Sequence, residues 1–213
     1  MMDCSSSGKA KSEAELEVER RPQIVLAACG CFAALNKFGS TCGCFMEWAD
    51  LRAVVTNSAS RIIDRSSFPE GVFVYFDKYE DHTRNSKGRP VLHVELFEWA
   101  DILVIAPLSA HSLAMIAGGF CESLLTCIVR AWDYRKPIFV APSMNHFLWK
   151  NPLTQQHCER IEKLGIFIIQ PVSQRSARGE YEKGEMADPS EISSIVKRYY
   201  DNSKIQNNNV GGV

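Results

Sequence analysis

The chain has 213 residues, 46% of them hydrophobic and 23% charged, which is ordinary for a soluble globular protein of one large domain or two small ones. Lys and Arg together number 24 against 25 for Asp and Glu, and this balance argues against nucleic acid as a partner, because phosphate contacts need a surplus of cations. The longest apolar stretch, residues 24–35, is interrupted by Gly30 and is shorter than the about 20 residues that cross a membrane. We therefore expect no membrane span.

The eight cysteines are too few for a disulfide scaffold. The first 22 residues mix acids and bases and lack the apolar segment of a secretory signal. We therefore expect a cytoplasmic protein, with the nucleus as a second possibility, whose thiols stay reduced. Residues 1–21 and 203–213 are polar and are predicted to be disordered, which leaves one folded domain at 22–202.

Within that domain, short apolar runs alternate with helical patterns. The predicted strands are 23–28, 51–56, 71–76, 102–108, 137–142 and 166–171. The predicted helices are 33–50, 93–100, 109–132, 152–165 and 189–202, and the predicted irregular loops are 77–89 and 172–188. Strands that are apolar on both faces and separated by helices indicate an α/β fold. We predict a single-domain, three-layer, Rossmann-like (flavodoxin-like) parallel sheet with helices on both faces.

Ligands of such sheets bind outside the carboxyl ends of the strands. The residues found there are 29–32, 56–58, 107–112, 143–145 and the segment after Pro171. Three of these stretches hold turn or capping residues: Cys29-Gly30-Cys31, Thr56-Asn57-Ser58 and Ser109-Ala110-His111-Ser112. A tight glycine turn at a helix N-terminus suits a phosphate group. Each segment alone fits an ordinary turn or helix cap equally well, but their convergence on one edge of the sheet favours a polar ligand.

Two Cys-Gly-Cys triplets, at 29–31 and 42–44, admit two interpretations. One is a metal or iron–sulfur site. Structural zinc sites, however, usually show a C-x₂₋₄-C spacing and a second pair of ligands. The pattern favours small buried thiols and no metal.

His93 falls in the first turn of a predicted helix, where the helix dipole favours the neutral imidazole, which can accept a proton. A capping or packing histidine is the alternative. His82, His146 and His157 carry no spacing signal.

The segment 172–188 has little apolar periodicity, as in a lid or binding loop, or alternatively in a solvated loop without a ligand. It contains Arg175 and Arg178, whose guanidinium groups suit an anionic group of a substrate.

Several segments together resemble the flavin-containing cysteine decarboxylases. Residues 142–149 (PSMNHFLW) are similar to the family's P-x-M-N-x-x-M-W motif. Residues 91–101 (VLHVELFEWAD), 106–119 (APLSAHSLAMIAGG), 125–134 (LTCIVRAWDY) and 184–189 (GEMADP) fit the same family. The resemblance spans residues 22–202 and points to the plant phosphopantothenoylcysteine decarboxylases, which are also described as halotolerance proteins.

This resemblance implies the FMN-dependent decarboxylation of 4'-phosphopantothenoylcysteine to 4'-phosphopantetheine in coenzyme A biosynthesis. In the family, the substrate thiol is oxidised to a thioaldehyde, carbon dioxide leaves, and the resulting enethiol is reduced again. Members are trimers, or assemblies of trimers, with FMN between protomers. The cofactor carries the redox chemistry, and the protein positions it.

The resemblance also assigns roles to residues of this chain. His93 matches the catalytic histidine, and Asn145 matches the asparagine that binds the substrate carboxylate. Arg175, Ala177 and Met186 match the flap that clamps the substrate. The positions that match the FMN site are Gly30, Cys31, Phe32, Thr56, Asn57, Ser58, Ser109, Ala110, His111, Ser112 and Ser143.

The chain departs from the family at four positions. Arg178 replaces the flap cysteine that donates a proton in the final reduction, Cys31 replaces a serine, His111 replaces an asparagine, and Glu182 replaces a glycine. A guanidinium is a poorer proton donor than a thiol by about 5 kcal/mol, so the final reduction should be slow or absent.

Two alternatives follow from these departures. Beside the complete decarboxylase, the chain could be a non-catalytic or regulatory paralogue in mixed trimers. It could also be an oxidative decarboxylase that releases the enethiol.

Overall fold

The computed structural model describes residues 20–77, 91–175 and 181–210. Six strands form a parallel sheet in the order β3-β2-β1-β4-β5-β6. They are β1 (Gln23–Ala28), β2 (Asp50–Val55), β3 (Phe73–Phe76), β4 (Ile102–Leu108), β5 (Ile138–Pro142) and β6 (Phe167–Ile168). This order is that of the doubly wound, nucleotide-binding sheets, so the predicted fold class is confirmed.

The helices that connect the strands lie on both faces of the sheet. They are α1 (Phe32–Leu35), α2 (Phe38–Met46), α3 (Asn57–Ser60), α4 (Leu92–Trp99), α5 (Ala110–Gly118), α6 (Leu124–Ala131), α7 (His146–Trp149), α8 (Pro152–Glu162) and α9 (Pro189–Val210). A second, antiparallel sheet pairs β7 (Val172–Arg175) with β8 (Tyr181–Glu185). Among the described residues, no helix is both long and apolar enough to cross a bilayer.

The sheet separates two apolar clusters, because alternate residues of each strand point to opposite faces. In β1, Ile24 and Leu26 belong to one cluster, whereas Val25 and Ala27 belong to the other. All seven residues of β4 are buried. Burial on both faces explains the uninterrupted apolar runs in the sequence.

The predicted helix 33–50 is wrong in its extent. It is divided into α1 and α2, and Asp50 belongs to β2. The backbone N–H of Asp50 donates to the carbonyl of Pro22 over 2.9 Å, which draws this residue into the sheet.

The predicted helix 109–132 is also two helices. α5 ends at Gly118 and is capped by Gly119, whose φ of 74° is left-handed. α6 begins after Ser123, whose side chain forms a capping box with Thr126. Gly119 is a helix stop signal and the Ser-x-x-Thr pattern is a helix start signal. The prediction of a single helix followed the apolar periodicity and overlooked both signals.

The segment 172–188 is not an irregular loop as predicted, since β7 and β8 pair within it. β6 has only two residues, so the predicted strand 166–171 is too long. Most of the predicted loop 77–89 lies outside the described residues.

The last helix begins as predicted and ends later than predicted. The carboxylate of Asp188 accepts hydrogen bonds from the backbone N–H and the hydroxyl of Ser190, at 3.0 and 2.8 Å. α9 then continues to Val210 instead of ending near Asn202. Residues 203–210 of the predicted disordered tail are therefore helical, because no glycine or proline interrupts the chain before Gly211. The division of the chain at residues 21 and 202 otherwise stays a prediction.

Candidate active site

The turns after β1, β4 and β5 line one cavity of about 540 Å³. The chain changes direction across the sheet between β1 and β4, so this crevice lies at the switch point where doubly wound sheets bind ligands. Eight residues predicted from the sequence line it: Gly30, Cys31, Phe32, Ser109, Ala110, His111, Ser143 and Asn145. Seven further residues complete the lining: Ala33, Met144, His146, Leu148, Lys183, Gly184 and Glu185.

Cys31 and Ser143 connect two sides of this cavity. The Cys31 thiol donates to the Ser143 hydroxyl over 3.0 Å. Cys31 precedes α1 but makes no side-chain hydrogen bond to that helix. Because Ser143 accepts from the thiol, its own hydroxyl proton remains available to an acceptor on a ligand.

Gly30 allows the turns after β1 and β2 to approach each other closely. A Cβ atom at Gly30 would lie 2.6 Å from the hydroxyl oxygen of Ser58. The Thr56 hydroxyl lies 3.2 Å from the Ser58 hydroxyl and accepts from the backbone N–H of Ala59 over 3.4 Å. Thr56, Asn57 and Ser58 pack against this turn and do not line the cavity, and their contact with the cofactor stays a prediction.

The turn after β4 is capped by its own serines. Ser109 Oγ accepts from the backbone N–H of Ser112 over 3.2 Å. Ser112 is buried behind the cap and does not line the cavity, whereas His111 is exposed and does.

Behind this turn, burial raises the pKa of Cys29 to about 11, and hydrogen bonds from Ser112 and Ser109 oppose this shift by a smaller amount. Cys29 is therefore an inert, protonated thiol at neutral pH.

Asn145 is oriented by the short helix that follows it. Its side-chain Oδ1 accepts from the backbone N–H of Leu148 over 3.0 Å, as an N-cap. The oxygen end of the amide is thus occupied, and the Nδ2 end is left to donate. An exposed amide that presents its N–H₂ group suits the carboxylate predicted as its ligand.

The β7–β8 hairpin closes one side of the cavity. The backbone N–H of Met144 donates to the carbonyl of Gly184 over 2.9 Å. Gly184 has a φ of 148°, and a Cβ there would lie 2.4 Å from the carbonyl oxygen of Met144. The hairpin also brings charge: Lys183 lines the cavity, and Glu185 pairs with Lys37 at 2.8 Å.

Several predicted site residues lie elsewhere or outside the description. Met186 is fully buried in the core behind the hairpin and does not line the cavity. His93 is the second residue of α4, is half-buried and is not part of this cavity. Arg175 is the last residue of β7. Ala177 and Arg178 lie outside the described residues.

His146 is a cavity residue that sequence reasoning missed. Its Nδ1 atom is buried and has no hydrogen-bond partner among the residues that the structure describes. An unsatisfied buried nitrogen is costly, and because Nδ1 is covered by protein, a ligand in the cavity would reach it only if the imidazole turned. The only signal in the sequence was its position next to Asn145.

A larger cavity, of about 820 Å³, lies between β6, α8 and α9. None of the predicted site residues that the structure describes lines it, and its walls come mainly from the edge strand β6 and from α8 and α9. We therefore place the site in the smaller cavity. The described part of the chain holds no group of three or more His, Cys, Asp or Glu side chains that would bind a metal.

The doubly wound sheet and the crevice at its switch point are typical of a nucleotide-binding protein. Comparison with known proteins identifies the family. The chain belongs to the Flavoprotein family, whose model matches residues 12–200. It is 51% identical over 209 residues to the phosphopantothenoylcysteine decarboxylase HAL3 of Malus domestica, with 97% of each chain covered. It is 54% identical over 177 residues to a phosphopantothenoylcysteine decarboxylase of Oryza sativa subsp. japonica, with 83% of this chain and 80% of the relative covered.

Solved structures agree with these relatives. A mutant PPC decarboxylase complexed with pantothenoylaminoethenethiol superposes with a TM-score of 0.82 at 52% identity, over 85% of this chain and all of the other. The FMN binding protein AtHal3 superposes with a TM-score of 0.81 at 51% identity, over 86% and 98% of the two chains. The predicted family is thereby confirmed.

Proposed function

We propose that the chain is a cytoplasmic, FMN-dependent phosphopantothenoylcysteine decarboxylase of coenzyme A biosynthesis. The observation that carries this proposal is the cavity at the switch point, where the turns after three strands and the Asn145 amide face one space. The relatives with more than 50% identity bear the same activity in their names, and one related structure is complexed with a pantothenoyl thiol.

The residues of the cavity fit FMN. Gly30 has no side chain where the backbone must come close to a neighbouring turn, and Ser109 and Ser143 place hydroxyl groups at two other strand ends. Phe32, 81% exposed beside this space, offers an aromatic face to a planar ring. Bound FMN would supply the oxidation of the substrate thiol and the later return of the electrons.

The chain's own groups would bind and orient the substrate. Asn145 Nδ2 donates to the substrate carboxylate and holds it beside the cofactor site, because Oδ1 is engaged by Leu148. Lys183 adds a positive charge at the rim, which suits the phosphate of the substrate. The hairpin, anchored on Met144, excludes water from one side.

His93 would act in the site of a neighbouring protomer. It does not line the cavity of its own chain, and the family resemblance requires a histidine at the reacting atoms. We therefore propose a homotrimer in which His93 of one protomer completes the site of the next. A mixed trimer with a paralogue is the alternative, in which this chain contributes only His93.

The final reduction is the step in question, because Arg178 stands where the family has a proton-donating cysteine. Two outcomes are then open for the enethiol. The protein releases it, as an oxidative decarboxylase does, or reduces it with a proton from another donor. The described residues include one candidate, His146, which lines the cavity.

The test is to incubate the purified, flavin-loaded protein with 4'-phosphopantothenoylcysteine and to measure carbon dioxide and product mass. Carbon dioxide with the saturated thiol supports the full reaction. Carbon dioxide with a product lighter by two hydrogens supports the oxidative decarboxylase. No carbon dioxide, together with co-purification of a cysteine-bearing paralogue, supports the non-catalytic subunit.

The variant Arg178→Cys restores the family's donor and should raise the proportion of saturated product. Arg178→Lys keeps the positive charge without a thiol and serves as its matched control. An unchanged product ratio in Arg178→Cys would show that this position does not control the reduction.

A further inference from the structure

A close pair of thiols lies outside the site described above. The sulfur atoms of Cys121 and Cys127 are 2.7 Å apart. A disulfide bond is about 2.05 Å long, so the two atoms are within about 0.7 Å of bonding distance. Cys121 is exposed, whereas Cys127 is only 2% exposed.

The backbone holds this pair in place. The backbone N–H groups of Glu122 and Ser123 both donate to the Thr126 hydroxyl, at 3.0 and 2.9 Å. The Ser123 hydroxyl in turn accepts from the backbone N–H of Thr126 over 3.2 Å. This capping box folds the chain back at the start of α6, which places Cys121 against the first turn, where Cys127 lies.

We propose that Cys121 and Cys127 are a reversible redox-modification site that forms an intramolecular disulfide with a low-molecular-weight disulfide such as glutathione disulfide. The Cys121 thiolate attacks one sulfur of the oxidant, and the first glutathione leaves. Cys127 then gives up its proton and attacks the Cys121 sulfur of this mixed disulfide, and the second glutathione leaves. Two electrons and two protons pass from the cysteines to the two glutathione thiols. This proposal does not rest on the decarboxylase function.

Three of the other described cysteines, Cys29, Cys42 and Cys158, are poorer targets for such an oxidant. Burial raises the pKa of Cys29 to about 11 and that of Cys42 to about 12, so their reactive thiolate forms are scarce at neutral pH. Cys158 is buried too, and its pKa is raised to about 11. An exposed cysteine beside a buried one provides an attacking thiol and a resolving thiol in one segment.

The oxidised segment would adjoin the turn after β2. The Asp77 carboxylate accepts from the backbone N–H of Leu124 over 3.1 Å and from that of Asn57 over 2.6 Å. One side chain therefore joins the start of α6 to the start of α3. A disulfide over the first turn of α6 fixes the segment on which this bridge rests.

The test uses the full-length folded protein, reduced and then equilibrated with glutathione disulfide at neutral pH. After an acid quench and alkylation, tryptic peptides are weighed. The peptide from Gly88 to Arg130 contains Cys121 and Cys127 and no other cysteine. We expect it to lose two hydrogens, to take up no alkyl group, and to recover both thiols after dithiothreitol.

The variants assign the two roles. Cys127→Ser should keep a glutathione adduct on Cys121, because nothing resolves it, and Cys121→Ser should take up at least tenfold less glutathione on this peptide. Cys158→Ser, which removes a buried thiol of α8, is the matched control and should oxidise like the wild type. If the wild-type peptide instead carries two alkyl groups, or a stable glutathione adduct, or links two chains, the proposal is wrong.

Discussion

The Cys31 thiol donates to the Ser143 hydroxyl over 3.0 Å, and this contact joins the end of β1 to the end of β5 across the intervening β4. Ser143 is 2% exposed, so few other partners can replace the thiol. The contact therefore holds the ends of β1, β4 and β5 around one cavity. Variants at Cys31 test whether this cavity binds flavin.

Replacing Cys31 should change flavin affinity in a way that depends on the hydrogen bond. In Cys31→Ser a hydroxyl takes the place of the thiol, and we expect affinity at or above that of the wild type. In Cys31→Ala the Ser143 hydroxyl loses the donor that orients it, so FMN binding must order this group. A cost of about 1 kcal/mol for that ordering raises the dissociation constant about fivefold. The quenching of FMN fluorescence on titration measures both values. Wild-type affinity in Cys31→Ala would show that the contact is not used.

The variant Gly184→Ala should loosen the hairpin. A φ of 148° is strained for alanine, and the new Cβ would lie 2.4 Å from the carbonyl oxygen of Met144. We expect the free energy of unfolding in urea to fall by about 1–3 kcal/mol, with faster proteolysis within residues 172–188. The control is Gly43→Ala in α2, where a Cβ meets nothing within 4 Å. That variant should be unchanged or more stable by up to about 1 kcal/mol. Equal stability of the two variants would contradict the docking of the hairpin.

If the site is shared between protomers, two inactive variants should complement each other. His93→Asn and Asn145→Ala should each abolish decarboxylation as pure proteins. A mixture that is unfolded and refolded together contains sites with His93 from one chain and Asn145 from another, and random assembly gives about a quarter of wild-type activity. Carbon dioxide release measures this recovery. An inactive mixture that nevertheless forms trimers would place both residues in the same chain's site.

Alkaline pH should destabilise the protein through its buried thiols. Burial raises the pKa of Cys42 from 9.0 to about 12, so above pH 9 the unfolded chain releases a proton that the folded chain keeps. The contribution of this thiol to stability is complete below pH 9 and falls as the pH rises towards 12, by up to about 1.4 kcal/mol per pH unit.

Urea unfolding at pH 8, 9 and 10 measures this slope. Cys42→Ala lowers stability at every pH because it leaves a cavity, but its free energy of unfolding should fall less steeply between pH 9 and 10. Parallel pH profiles for the wild type and Cys42→Ala would refute the assignment.

Much of the candidate site was predictable because its residues follow strands that are themselves easy to recognise. Cys31, Ser109 and Asn145 follow apolar strands within three residues, and each is the N-cap residue of the next helix. Helix caps of this kind depend on the chain within three or four residues, and the sequence shows that range in full. His146 was not predictable, because its place in the cavity lining depends on how segments far apart in the chain pack together.

The sequence by itself determined the α/β class, the family and most of the strands, because burial on both faces leaves continuous apolar runs and the P-x-M-N segment is specific. Only the tertiary structure decided which strand ends share a cavity: those of β1, β4 and β5 meet, while the turn after β2 lies behind Gly30. The tertiary structure also shows that Met186 lies in the core, that His93 does not line the cavity of its own chain, and that Gly184 contacts Met144. Strand order and packing are set by contacts between residues far apart in the chain. Local sequence patterns do not show which of these residues meet.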